Sequence, residues 1–221
     1  MISYIKTIYR KIRFMLRDFF INKNKWSNLK ADRLVIVASD CTGGMLYHDL
    51  KKEFMSPTIN LFFSATDYIK FLKNPYFYFN MEMEEIKQNE YEYPIAKLGD
   101  ITLYLVHYKT VQDAQIKWRE RSERFKENWG GESQNMFCIM NDRNWCTEQD
   151  LIDFDNLPYR NKVVFTHVPH PEIKCAYYIR GFENDDYIGT MTKFVTPFSI
   201  KRVMDQFDFV DWINRGTQNN G

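Results

Sequence analysis

The 221 residues leave room for one substantial core, and a single globular body is the expectation. With 44% hydrophobic and 27% charged residues, disordered and low-complexity classes are excluded. A net charge of +1 argues against a generally basic nucleic-acid binder, and no apolar run approaches the roughly 18–20 residues of a membrane span.

The average charge conceals an uneven chain. Residues 1–25 hold Lys6, Arg10, Lys11, Arg13, Arg17, Lys23 and Lys25 against Asp18 alone, a local +6 that leaves −5 for the remainder. On a helical wheel Lys6, Arg10, Arg13 and Arg17 share one stripe. Ile5, Ile8, Tyr9, Ile12, Met15, Leu16 and Phe19 occupy the neighbouring face. A basic helix with bulky apolar residues is the pattern of an element lying in a bilayer interface, where each cation near an anionic leaflet contributes about 1 kcal/mol. The alternative is a helix docked on the body with its basic stripe solvated. Charges interrupt the apolar stretch and no small-residue cleavage site follows, so a signal peptide is not expected. Residues 1–28 therefore read as a membrane-associating helix and 29–221 as one α/β domain.

Downstream, strands and helices alternate. Residues 34–38 form a continuous apolar run, as in a strand buried on both faces. Residues 39–44 break it and 45–54 read as a helix. A second strand is expected at 59–63, then a short helix to Leu72 behind the capping-box spacing of Ser64 and Asp67. Residues 75–93 read as a helix or lid-like excursion and 101–107 as a strand. Thr110 and Asp113 open a long polar helix to Lys126, and 128–134 form a loop. A strand at 136–140 precedes a helix capped by Thr147 and Asp150; strands follow at 162–166 and 175–179. A final helix at 199–214 is stopped by Gly216. This order implies a three-layer, mostly parallel Rossmann-like sheet with an N-terminal amphipathic helix.

In such sheets ligands sit at the carboxyl ends of the strands. That rule gathers Asp40 to Gly44, the 56–58 or 64–67 segment, His107-Tyr108 and Asn141-Asp142-Arg143 at one rim. Cys41-Thr42-Gly43-Gly44 stands between strand and helix, where backbone N–H groups and a helix amino terminus favour an anion; it equally serves as a tight packing turn. Cys41 is a candidate nucleophile, and His107 a candidate base. Arg143 offers a guanidinium matched to phosphate. His167 and His170 flank Val168-Pro169, which breaks any helical ligand face, and no metal site is expected. The four cysteines never form Cys-x-x-Cys, which fits a reducing, cytoplasmic compartment.

Several segments occur in register: Asp40-Cys41-Thr42-Gly43-Gly44, Ser56-Pro57-Thr58-Ile59-Asn60-Leu61-Phe62, Tyr93-Pro94, Leu98-Gly99-Asp100-Ile101 and His107-Tyr108. Ala114, Lys117-Trp118, Arg121 and Arg124 follow, then Asn141-Asp142-Arg143, Phe154-Asp155-Asn156-Leu157-Pro158 and Asn161-Lys162-Val163. The series, spanning roughly residues 33–170, resembles the domain of unknown function 1919 of bacterial exopolysaccharide and capsule clusters. The resemblance implies a capsule or exopolysaccharide pathway, where transferases act on lipid-linked sugars at the cytoplasmic face of the membrane, and by itself names no reaction. Joined to the residue chemistry, the expectation is a glycosyltransferase taking a nucleotide-sugar donor and a lipid-linked glycan acceptor. Cys41, Thr42, Gly43, Gly44, Arg121, Asn141 and Arg143 would bind the donor, and Asp40, His107 or Asp142 would act as base. No cofactor is required; a divalent ion is not favoured without an Asp-x-Asp motif. Anionic lipid would meet residues 1–25. The alternatives are an O-acyltransferase using acyl-CoA and a non-catalytic partner recruited to the membrane.

Overall fold

The computed structural model describes residues 2–129 and 136–218. The chain opens with α1 (Ile2–Arg17), a π-helical turn (Asp18–Asn22) and α2 (Lys23–Asn28). Then come β1 (Val35–Ala38), α3 (Thr42–Asp49), α4 (Ala65–Lys73), α5 (Pro75–Phe79), β2 (Glu84–Ile86), β3 (Ile95–Leu98) and β4 (Ile101–Tyr104). The second half holds α6 (Val111–Trp129), β5 (Met136–Asn141), α7 (Glu148–Asp155), β6 (Asn161–Thr166) and β7 (Ala176–Tyr178). A 3₁₀ turn (Val203–Gln206) leads into α8 (Phe209–Gln218).

The fold is mixed α/β. Strands β1-β5-β6-β7 form a four-stranded parallel sheet, and β2-β3-β4 a small antiparallel one. All four residues of β1 and all six of β5 are buried, which is why both strands read as unbroken apolar runs. Side chains alternate between two cores. Val35, Val37, Cys138 and Met140 pack with Phe71, Phe79, Trp118 and Phe154 of α4–α7. Ile36, Ala38, Phe137 and Ile139 pack with Leu46 and Tyr47 of α3 and Phe209 and Ile213 of α8.

The three expected helix caps are present. Ser64, Thr110 and Thr147 each accept the backbone N–H three residues on, and at Thr147 the Asp150 carboxylate also returns the bond.

Elsewhere the expectations need correction. Residues 59–63 are not a strand: Asn60 turns the chain at φ 68°, and only Phe62 makes a bridge, to Tyr104. Phe63 N–H donates to Ser39 O at 3.0 Å, so this segment joins the two sheets. The strand expected at 101–107 stops at Tyr104 and belongs to the antiparallel sheet, whose β3 was not anticipated. Helix α3 starts three residues early, at Thr42, and ends at Asp49, with Lys51 at φ 52° turning the chain away. The loop expected at 128–134 begins inside α6; its remainder lies outside the described residues. The last helix is shorter at its start and runs past Gly216. A Cβ there would come within 2.7 Å of the Phe137 ring, so this glycine permits close approach to the sheet rather than stopping the helix.

The N-terminal helix docks by its basic side. Arg17 is wholly buried (0% exposed). Its guanidinium donates to Asp49, to both carboxylate oxygens of Asp205 (2.5 and 3.0 Å) and to Ile200 O (3.0 Å). Arg202 reaches Asp49 at 3.3 Å, and Lys25 reaches Asp205 at 2.8 Å. Arg13 donates to Ser199 O and Thr196 O, each at 2.6 Å, with its guanidinium 3.4 Å from the Phe194 ring centre. The stripe expected to stay free is thus turned inward at Arg13 and Arg17, because two buried acids require cations. Among the described residues no helix is long and apolar enough to cross a membrane.

Candidate functional site at the carboxyl rim

Strands β1, β5 and β6 run in one direction, so their carboxyl ends open on one edge. Three of these ends are stitched together by polar side chains. After β1, Asp40 accepts the Thr42 N–H (2.9 Å) on one oxygen and the Asn141 side-chain amide (3.0 Å) on the other. Asn141 returns to its own turn by accepting the Arg143 N–H at 3.2 Å. After β6, His167 donates its backbone N–H to Asp142 Oδ2 at 2.7 Å, and its Nδ1 lies 2.6 Å from the same oxygen. Asp142 Oδ1 accepts the Ile188 N–H at 2.7 Å. A carboxylate that already accepts two backbone donors assigns the proton to Nδ1 and leaves Nε2 as the basic nitrogen.

Beside this pair lies a cavity of about 280 Å³ lined by Asp142, Arg143, Asn144, Trp145, Cys146, Asp186 and Tyr187. Arg143 is held by Thr190 Oγ1 at 3.1 Å and sits 5.8 Å from the Tyr187 ring centre. Its Nε is buried without a partner among the described residues. Asn144 and Trp145 both adopt left-handed backbone, φ 56° and 60°. Two successive residues in this sparsely populated region carry strain that their surroundings must hold in place. The strain holds the Trp145 indole 59% exposed, 5.4 Å from the Tyr104 ring. With Tyr187, also exposed, it gives the cavity two open aromatic faces.

The glycine turn has a packing role. A Cβ on Gly43 would lie 2.8 Å from Ala38 Cβ, and one on Gly44 3.2 Å from Ile59 Cγ2. Both positions face the core: Gly43 lets helix α3 press against β1, and Gly44 lets it approach Ile59 closely. Thr42 is fully buried, and its hydroxyl has no partner among the described residues. Burial, then Asp40, pushes the Cys41 thiol up to about 12, despite an opposing pull from Arg143. A thiol so placed is protonated at neutral pH, contrary to what a nucleophile needs.

Two expected rim residues lie apart from this cluster. His107 follows β4 of the other sheet, is exposed, and is tied by its backbone N–H to Asn60 O. Arg121 is buried and donates to Ile59 O (3.1 Å) and Tyr108 Oη (2.8 Å), bracing the 58–63 segment against α6. His167 and His170 diverge, His170 pairing with Glu172 at 2.9 Å. The sequence reading weighed His167 only as a metal ligand and passed over Trp145, Tyr187 and Thr190. The carboxyl-end rule already pointed to His167, the residue directly after the expected strand at 162–166.

The chain is similar in sequence to a known protein and to a known family. A protein of Haemophilus influenzae (strain ATCC 51907 / DSM 11121 / KW20 / Rd), described as an uncharacterized protein, is 38% identical over 196 residues; the match covers 89% of this chain and 91% of the relative. The family described as Domain of unknown function (DUF1919) matches residues 12–214, a span that takes in both sheets, the whole rim and the Arg17 contacts. On that match, the chain belongs to the DUF1919 family.

Proposed function

We propose that the protein is a glycosyltransferase of bacterial capsule or exopolysaccharide assembly. It would move a sugar from a nucleotide-sugar donor to a glycan hydroxyl at the inner face of the membrane, on a Rossmann-like frame. The observation that carries this reading is the Asp142–His167 pair beside Arg143 at the carboxyl rim. His167 Nε2 takes the proton from the acceptor hydroxyl as that oxygen bonds to the anomeric carbon. The bond from the anomeric carbon to phosphate oxygen breaks in the same step, and the nucleoside diphosphate leaves with its electrons. Asp142 holds the imidazole in the productive tautomer and faces the charge the ring acquires. Arg143 neutralises the leaving diphosphate. The N–H groups of Gly43 and Gly44 at the start of α3 supply further donors. Trp145 and Tyr187 stack on sugar or base. Asp40 and Asn141 position this turn rather than react, since both Asp40 oxygens are occupied.

Calorimetry with nucleoside diphosphates tests the donor half. A charge-assisted contact of about 1.5–3 kcal/mol predicts a roughly ten- to hundredfold loss of affinity in Arg143→Ala, with partial recovery in Arg143→Lys. His167→Gln should bind donor as wild type does yet fail to turn over. A folded Arg143→Ala protein that binds as tightly as wild type, or a wild type that binds no nucleoside diphosphate, refutes the reading.

A further inference from the structure

Docking α1 through Arg13 and Arg17 leaves its opposite side uncovered. Tyr4, Ile8, Ile12, Met15, Leu16 and Phe19 all stand exposed, Met15 at 64% and Phe19 at 62%. On the wheel this stripe centres about 180° from Arg17, so burying the guanidinium forces the apolar residues outward. Soluble helices ordinarily do the reverse. A second apolar element adjoins the stripe. The 194–202 segment folds back on itself, with Phe194 bridged to Arg202. Its tip carries Phe198, 89% exposed, and Val195, 55% exposed. Tyr9 Oη donates to Pro197 O, which fixes the tip at the edge of the stripe. Basic residues flank the surface: Lys11, Lys23, Lys193 and Lys201 are exposed, and Lys23 Nζ lies 5.5 Å from the Phe19 ring centre.

We propose that the outward face of α1 and the Phe198 tip seat together in the interface of an anionic lipid bilayer, apolar side chains down and the flanking lysines at headgroup level. Two observations select a bilayer over a second copy of the chain. The stripe is one helix wide, a footprint on the order of 250 Å², whereas a stable protein pair needs about 800 Å² from each partner. The flanking cations would repel their own copy but complement anionic headgroups. The attachment is therefore chiefly apolar insertion, with charge as its rim; the inward arginines orient the helix and do not touch lipid. This holds whether or not the cleft transfers a sugar, and its test reads binding alone.

Deleting residues 1–25 would take Arg17 and Lys25 away from Asp49 and Asp205, so the test uses substitutions on exposed positions of the full chain. Vesicles of phosphatidylcholine with phosphatidylglycerol should pellet the wild type, and phosphatidylcholine alone should pellet much less. Met15→Glu with Phe19→Glu should weaken partitioning about a hundredfold, and Phe198→Glu about tenfold. Circular dichroism and nucleoside diphosphate binding should be unchanged. Equal pelleting of wild type and the double variant overturns the proposal, as does pelleting with neither vesicle. A wild-type dimer in light scattering that the same substitutions dissolve also overturns it, by assigning the face to self-association.

Discussion

Replacing Arg17 with Met removes the charge while nearly preserving volume, and so isolates the buried ion cluster. Four hydrogen bonds disappear, to Asp49, to both oxygens of Asp205 and to Ile200 O. Removing one partner from a buried pair costs about 3–5 kcal/mol, because the other charge is left without compensation. Here compensation is partial: Asp49 keeps Arg202 at 3.3 Å and Lys25 at 3.5 Å, and Asp205 keeps Lys25 at 2.8 Å. The lower end, about 3 kcal/mol, is expected, which for a chain of this size lowers Tm by about 6–12 °C. Urea unfolding followed by tryptophan fluorescence measures it, with Asp205→Asn closing a double-mutant cycle. The effect carries a pH signature. Burial would raise the Asp205 carboxyl, but Arg17 and Lys25 overrule it and hold the group well below the usual carboxylate range. A depressed folded-state value stabilises above the unfolded value of about 3.9 and is lost as pH falls toward the folded one. The gap between wild type and Arg17→Met should therefore be full at pH 7 and narrow progressively below about pH 4. A variant within about 0.5 kcal/mol of wild type at pH 7 would refute the clamp, as would a gap that widens on acidification.

The glycine turn and the cysteine beside it give two further tests. Gly43→Ala places a methyl 2.8 Å from Ala38 Cβ, so it should destabilise the fold by about 1–3 kcal/mol in thermal unfolding, with the milder contact at Gly44 making Gly44→Ala less costly. Native Cys41, its thiol held near 12, should resist iodoacetamide at neutral pH, and Cys41→Ser should retain most transfer activity; rapid alkylation or an inactive, folded serine variant would restore the covalent acyl-transfer reading.

What the sequence revealed followed the strength of its local signals. Strands β1 and β5 are buried on both faces and carry continuous apolar runs, and β6 keeps the shorter run Val163-Val164-Phe165. The capping pairs likewise bond within three residues of themselves and are legible wherever they occur. Strand β2, Glu84-Glu85-Ile86, has no such run; only pairing with β3 makes it a strand. The orientation of α1 was illegible for a different reason. A helical wheel separates two faces, but which of them packs depended on Asp49 and Asp205, remote acids with no mark in the sequence. The rim was half legible: the strand-end rule assembled Asp40, Asn141 and Arg143, whereas Tyr187 and Thr190 reach it from a segment with little regular structure. His107 was assigned there only because β4 was taken for a member of the wrong sheet.

The Arg17–Asp205 contact also orders events in time, since it closes across 188 residues. During synthesis Arg17 leaves the ribosome long before the aspartate that receives it, and α1 must wait while the sheet strands are made. Closing so long a span is not prohibitive, because each doubling of a loop adds only about 0.6 kcal/mol of entropy cost. It does place the closure late, after local elements have formed. The segment that carries Arg17 is translated well before its partner yet fixed among the last, and until then its apolar stripe and its cations are presented to solvent together.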